Sequence, residues 1–68
     1  MHISYKKLWK LLIDKDMKKK DLLLLSGIST ASMAKLGKDE NVNTNILLKV
    51  CRALNCDIAD IMEIVEEE

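Results

Sequence analysis

Gly27 is one of only two glycines in a proline-free chain of 68 residues, and it separates two stretches that each carry apolar residues at helical spacing. Glycine takes a left-handed backbone without a Cβ penalty, so one helix can end there and another begin within a few residues. A tight break of this kind, in a chain rich in Leu, Ile, Met, Ala and Lys, favours short packed helices over sheet. The fold class expected is all-α, a compact five-helix bundle forming a single domain over residues 1–68.

Caps and apolar periodicity set the expected boundaries. Ser4 precedes the first periodic stretch, and Ile3 and Leu8 have the spacing of a hydrophobic staple, which predicts a helix over residues 5–15 with Tyr5, Leu8, Leu12 and Ile13 inward. A second helix is expected over residues 19–26, ended by Gly27. Ser29 can cap a third, anchored by Met33 and Leu36, with Gly37 as its stop and a polar loop over residues 38–42. Asn43 can cap a fourth, whose Leu47, Val50, Cys51 and Leu54 repeat at helical spacing, with Asn55 as its left-handed end. Asp57, followed three residues on by Asp60, opens a fifth carrying Ile58, Ile61, Met62, Ile64 and Val65. The acidic tail, residues 66–68, would sit at that helix's C-terminus, where the dipole disfavours it, and should fray.

Size and composition exclude several functions. Sixty-eight residues leave no room for a catalytic cleft between subdomains. No Ser/His/Asp set or phosphate-binding glycine loop is present, so no enzyme activity is expected. Cys51 and Cys56 have no neighbouring Cys or His to complete a metal set and His2 stands alone, so neither metal nor cofactor is expected. Cys51 falls on an apolar stripe and reads as a reduced core residue, pointing to a reducing cytosol. No stretch has the length and freedom from charge of a membrane span, and no signal peptide or small-molecule site is evident. A cytoplasmic protein is expected. The net charge of zero conceals a strong asymmetry: residues 1–38 hold nine lysines against three aspartates, net +6, and residues 39–68 are net −6. One end can attract polyanions, although two ordinary solvated faces would read the same way.

Leu22-Leu23, the turn Ser26-Gly27-Ile28-Ser29, the helix opening Thr30-Ala31-Ser32-Met33, LLKVCRAL over residues 47–54 and CDIADIM over 56–62 together resemble the Cro/C1-type helix-turn-helix family of bacterial and phage transcriptional regulators, the XRE-like group. The resemblance covers nearly the whole chain, and the motifs are specific through their order and spacing. It implies a lambda-repressor-like DNA-binding domain in which the second helix crosses the phosphate backbone and the third lies in the major groove. On that reading Lys18 and Lys19 are phosphate contacts, with a merely solvated lysine cluster as the alternative. Ser29, Thr30, Ala31, Ser32, Ala34, Lys35 and Lys38 face the groove and its edges, and Asn43 flanks it. The direct code is thin: methyls of Thr30 and Ala31 for a thymine methyl, hydroxyls of Thr30 or Ser32, and Lys35 for guanine or backbone.

The chain also departs from the family pattern. An Arg in helix one often pairs with a Glu at the end of helix three; here those positions hold Leu12 and Gly37, so both partners are replaced and neither charge is stranded. Asp39 and Glu40 occupy a loop that normally flanks phosphate, and Asn43 and Asn45 stand where basic residues are common, which should lower DNA affinity. Leu24 and Leu25 replace polar residues on helix two; they either pack on a neighbouring helix or form a partner surface. Lys18 replaces a good N-cap.

Two functions follow. The first is a sequence-specific DNA-binding transcriptional regulator that binds an inverted-repeat operator as a weak homodimer, joined through Ile58, Ile61, Ile64 and Val65 of the fifth helix. The second is a protein-binding adaptor, a partner of another regulator, that uses the same fold with weak contact to double-stranded DNA.

Overall fold

The structure, a computed structural model, describes residues 1–66. Four α-helices, α1 (Lys6–Asp14), α2 (Lys19–Ser26), α3 (Thr30–Gly37) and α4 (Thr44–Leu54), are followed by one 3-10 turn, Ile58–Asp60. Short strands at the two ends, β1 (His2–Ser4) and β2 (Glu63–Val65), pair antiparallel in the register His2↔Val65, Ile3↔Ile64 and Ser4↔Glu63.

The expected fifth helix is therefore absent. Asp57 opens the segment as a capping box, its Oδ1 accepting from the Ile58 amide at 2.8 Å and its own amide donating to Asp60 Oδ2 at 2.9 Å. The helix stops after one turn because Ile61 drops fully into the core and Glu63–Val65, rich in β-branched residues, finds a strand partner in β1. Glu66 thus follows a strand rather than a helix, which removes the helix-dipole reason for fraying; residues 67 and 68 lie outside the described residues.

The core is one cluster drawn from every helix: Tyr5, Leu8 and Leu12 from the first segment, Leu22, Ile28 and Leu36 from the next two, then Leu47, Val50, Cys51 and Leu54 from α4, closed by Ile61. Ile13, expected inward, is instead 76% exposed, because it lies about 100° around the helix from Leu12. Tyr5 sits at the N-cap position of α1 rather than inside it. Ser4 is taken into β1, yet its Oγ still accepts from the Lys6 amide at 3.3 Å. Cys51 is buried and Cys56 half-buried, both as free thiols.

Three helices end on a left-handed residue that is not glycine. Asp16, Asp39 and Asn55 have φ of 55°, 56° and 52°. Each is bracketed by two reversed backbone bonds, such as Cys56 N to Cys51 O at 3.0 Å and Asn55 N to Arg52 O at 3.3 Å, the pattern of a Schellman motif. Asn55 ends α4 as its sequence implies. Gly37, by contrast, remains helical and does not stop α3; the left-handed residue is Asp39, two positions later, with Glu40 N reaching Lys35 O at 2.9 Å. The reason is tertiary. The Asp39 carboxylate accepts from the Tyr5 amide at 3.0 Å, and the Tyr5 hydroxyl donates to the Glu40 carbonyl at 3.0 Å, so the loop after α3 is strapped to the start of α1.

Candidate nucleic-acid interface

The turn between α2 and α3 is built by three residues. Gly27, with φ of 72°, donates its amide to the Leu23 carbonyl at 3.1 Å and reverses the chain. The Ser26 hydroxyl turns back to the Leu22 carbonyl and accepts from the Ile28 amide at 3.4 Å, tying both helices to the turn. Ser29 then caps α3, its Oγ accepting from the Ser32 amide at 3.1 Å and donating to Ser32 Oγ at 3.1 Å. Ile28 and Leu36 are buried and Met33 half-buried, so α3 is fixed along one side.

The other side is bare. Thr30, Ala31, Ala34, Lys35 and Lys38 are exposed, Ser29 is exposed at the helix entry, and Ser32 is half-buried beside it. Only Lys35 and Lys38 carry long polar side chains there; the remainder is short enough to let a helix approach a surface closely.

Lys18, Lys19 and Lys20 are exposed at the start of α2, an end where cations oppose the helix dipole. Two contacts offset that penalty. Asp21 Oδ2 reaches back to accept from the Lys18 amide at 2.9 Å, which sets a carboxylate in the first turn although the Lys18 side chain supplies no cap in return. The Lys19 ammonium lies over the Trp9 ring, 4.5 Å from its centroid, a cation–π contact that joins α2 to α1. Asp21 was legible as a carboxylate three residues beyond the cap position. Trp9 carried no local signal, because it lies on another helix.

Asn43 caps α4, its Oδ1 accepting from the Ile46 amide at 3.1 Å, which leaves its amide donors for an external acceptor. The carboxylate of Asp39 is tied to Tyr5, so that residue has a structural task beyond any effect on a polyanion. Leu24 and Leu25 do not pack on another helix: they are 74% and 64% exposed.

The residues expected to form a dimer stripe are dispersed, because the helical periodicity that grouped them does not exist. Ile61 is wholly inside its own core and is unavailable to a partner. Ile58, 38% exposed, stands on the 3-10 turn, whereas Ile64, 65% exposed, and half-buried Val65 belong to β2.

A buried-on-one-side α3 after a glycine turn, with exposed lysines opening α2, is the arrangement of a helix-turn-helix. The family model for the Cro/C1-type helix-turn-helix DNA-binding domain matches residues 7–67. The chain belongs to that family. Its Cro/C1-type fold is also close to a solved structure, the crystal structure of the transcriptional regulator VanUg in Form II, with a TM-score of 0.92 and 55% sequence identity over 97% of this chain and 88% of that one. No match was found among curated proteins. The Cro/C1-type match spans both the basic and the acidic halves of the charge asymmetry.

Proposed function

We propose that this chain is a sequence-specific, cytoplasmic transcriptional regulator that binds an inverted-repeat operator as a homodimer, with α3 in the major groove of double-stranded DNA. The observation that carries this reading is the exposed row Thr30, Ala31, Ala34, Lys35 and Lys38 on a helix whose opposite side is locked by Ile28 and Leu36. Lys18 and Lys19 contact phosphate where α2 crosses the backbone, and Asn43 and Lys38 contact it at the far edge. Without a bidentate Arg, Asn or Gln on α3, each base contact discriminates by only about 1 kcal/mol. Site choice then leans on the spacing of two half-sites, roughly 34 Å apart, and on DNA shape.

Selection of bound sites from random duplexes, followed by titration across a salt series, tests this. Lys19→Ala should weaken binding to every sequence and lower the salt slope by about one, whereas Lys35→Ala should change which sites are preferred. Equal losses on cognate and random DNA for both variants would remove α3 from the groove. A second reading, a protein-binding adaptor, is favoured by one observation: the exposed pair Leu24 and Leu25 on α2. It requires that no salt-dependent binding to duplex DNA be detected, on selected or on random sequence.

A further inference from the structure

Helix α4 buries Leu47, Val50, Cys51 and Leu54 but leaves Leu48 59% exposed at its middle. Leu48 shares one row of the helix with Arg52, four residues away. That row is a ridge between two shallow hollows. On one side lie Asn45 and Lys49, in a hollow of about 380 Å³; on the other lie Asn55, Cys56, Asp57 and Asp60, in one of about 680 Å³. Leu48 and Arg52 border both. The patch therefore has a basic flank, Lys49 with Arg52, and an acidic flank, Asp57 with Asp60. Among the described residues no ion pair joins them or engages either flank.

We propose that this face is the docking site for a second copy of the chain, with the Leu48–Arg52 ridge of each copy set against the acidic flank of the other. The inference rests on the homodimer reading above and gives it a surface, in place of the dispersed isoleucines of the C-terminal segment. The argument is charge complementarity within a self-complementary patch. An isologous interface must contain each feature together with its complement, and this one holds two cations, two carboxylates, a ridge and a hollow. The direction of the two-fold axis follows. An axis across α4 would lay basic flank on basic flank, whereas an axis running along α4 turns the basic flank of each copy toward the partner's acidic one. It also makes the two α4 helices parallel, so their N-terminal ends, each joined by a short loop to α3, emerge on the same side of the dimer. A two-fold operator needs both reading helices on one side. Leu48 and its copy, near the axis, supply the apolar contact.

The test is sedimentation of the full chain without DNA, across concentration and at low salt. The wild type should exchange between monomer and dimer. Leu48→Gln, at an exposed position, should leave helical circular dichroism unchanged and weaken the dimer about tenfold or more. Arg52→Glu alone and Asp60→Lys alone should each weaken self-association by a similar factor, because like charges then oppose each other twice per dimer. An equimolar mixture of the two should restore association, since in the mixed dimer both contacts are again of opposite sign. Because Asp60 also caps the turn, the folding of Asp60→Lys is checked by amide spectra before mixing, and Asp60→Asn, which removes the charge but keeps an acceptor for the Asp57 amide, supplies the single-variant comparison if the cap is lost. A wild type that stays monomeric at every concentration would overturn the proposal. So would variants that dimerise like the wild type, a mixture that gains nothing, or loss of the dimer on Ile64→Lys but not on Leu48→Gln. Since no DNA is present, these outcomes leave the operator-binding reading to its own salt titration, and failure of that titration leaves the dimer result intact.

Discussion

Asp39 is the residue on which the end of α3 depends, and its replacement separates two contributions to stability. Its φ of 56° is left-handed, and its carboxylate accepts from the Tyr5 amide at 3.0 Å next to a side chain that is only 1% exposed. A charged acceptor lost from such an amide costs about 1.5 to 3 kcal/mol, and a Cβ-bearing residue other than Asn or Asp held left-handed costs roughly 1 kcal/mol more. Asp39→Ala should therefore destabilise by about 2.5 to 4 kcal/mol. A domain of this size has a total of about 3 to 10 kcal/mol. Asp39→Gly keeps the conformation and loses only the bond, so it should be less damaging than Ala by roughly 1 kcal/mol, offset in part by the greater freedom of glycine in the unfolded chain. Asp39→Asn retains an acceptor and a tolerated backbone and should stay within about 1 kcal/mol of the wild type. Urea unfolding followed by circular dichroism measures all three, with constant denaturant slopes as the check that the transition remains two-state. Equal stability of the Ala and Gly variants, or a loss on Ala below about 1 kcal/mol, would refute the idea that Tyr5 and Asp39 place the end of this helix.

Gly37 is helical and a Cβ built on it meets nothing within 4 Å, so Gly37→Ala should stabilise by about 0.5 to 1 kcal/mol in thermal unfolding, whereas Gly27→Ala, at φ of 72°, should cost about 1 kcal/mol or more. The Cys56 thiol is pushed up from 9.0 to about 11, by burial first and by the Cys51 thiol beside it, so alkylation by iodoacetamide at pH 8 should be far slower than for an unfolded control. Because the folded value is the raised one, that thiol's contribution to stability is complete below pH 9 and declines as pH rises toward 11; Cys56→Ala should reduce this alkaline slope. The Trp9 emission should shift in Lys19→Met, which removes the ammonium from the ring, and Trp9→Leu with Lys19→Ala should be non-additive in DNA affinity; strict additivity would sever the two.

Local signals in the sequence determined most of the helical frame. The extents of α2 and α4, the glycine turn between α2 and α3, the caps Ser29 and Asn43, and the left-handed Asn55 all depend on residues within a few positions of one another, and the structure keeps them. The outward row of α3 was legible for the same reason, since helical periodicity alone sorts Ile28, Met33 and Leu36 from Thr30, Ala31, Ala34 and Lys35. Where the fold is decided by partners far along the chain, the same reasoning falls short. The C-terminal segment has the apolar density of a helix, but β1, some sixty residues earlier, offers it a ladder, and Ile61 is needed to close the core. Gly37 looks like a helix stop by itself, yet Tyr5, 34 residues away from Asp39, moves the stop two residues on. The position of the Lys19 ammonium over Trp9, and the gathering of Lys49, Arg52, Asp57 and Asp60 around Leu48, are likewise products of how the helices and the final turn come together, because a side chain's neighbours across a core are set by packing and not by its place in the chain.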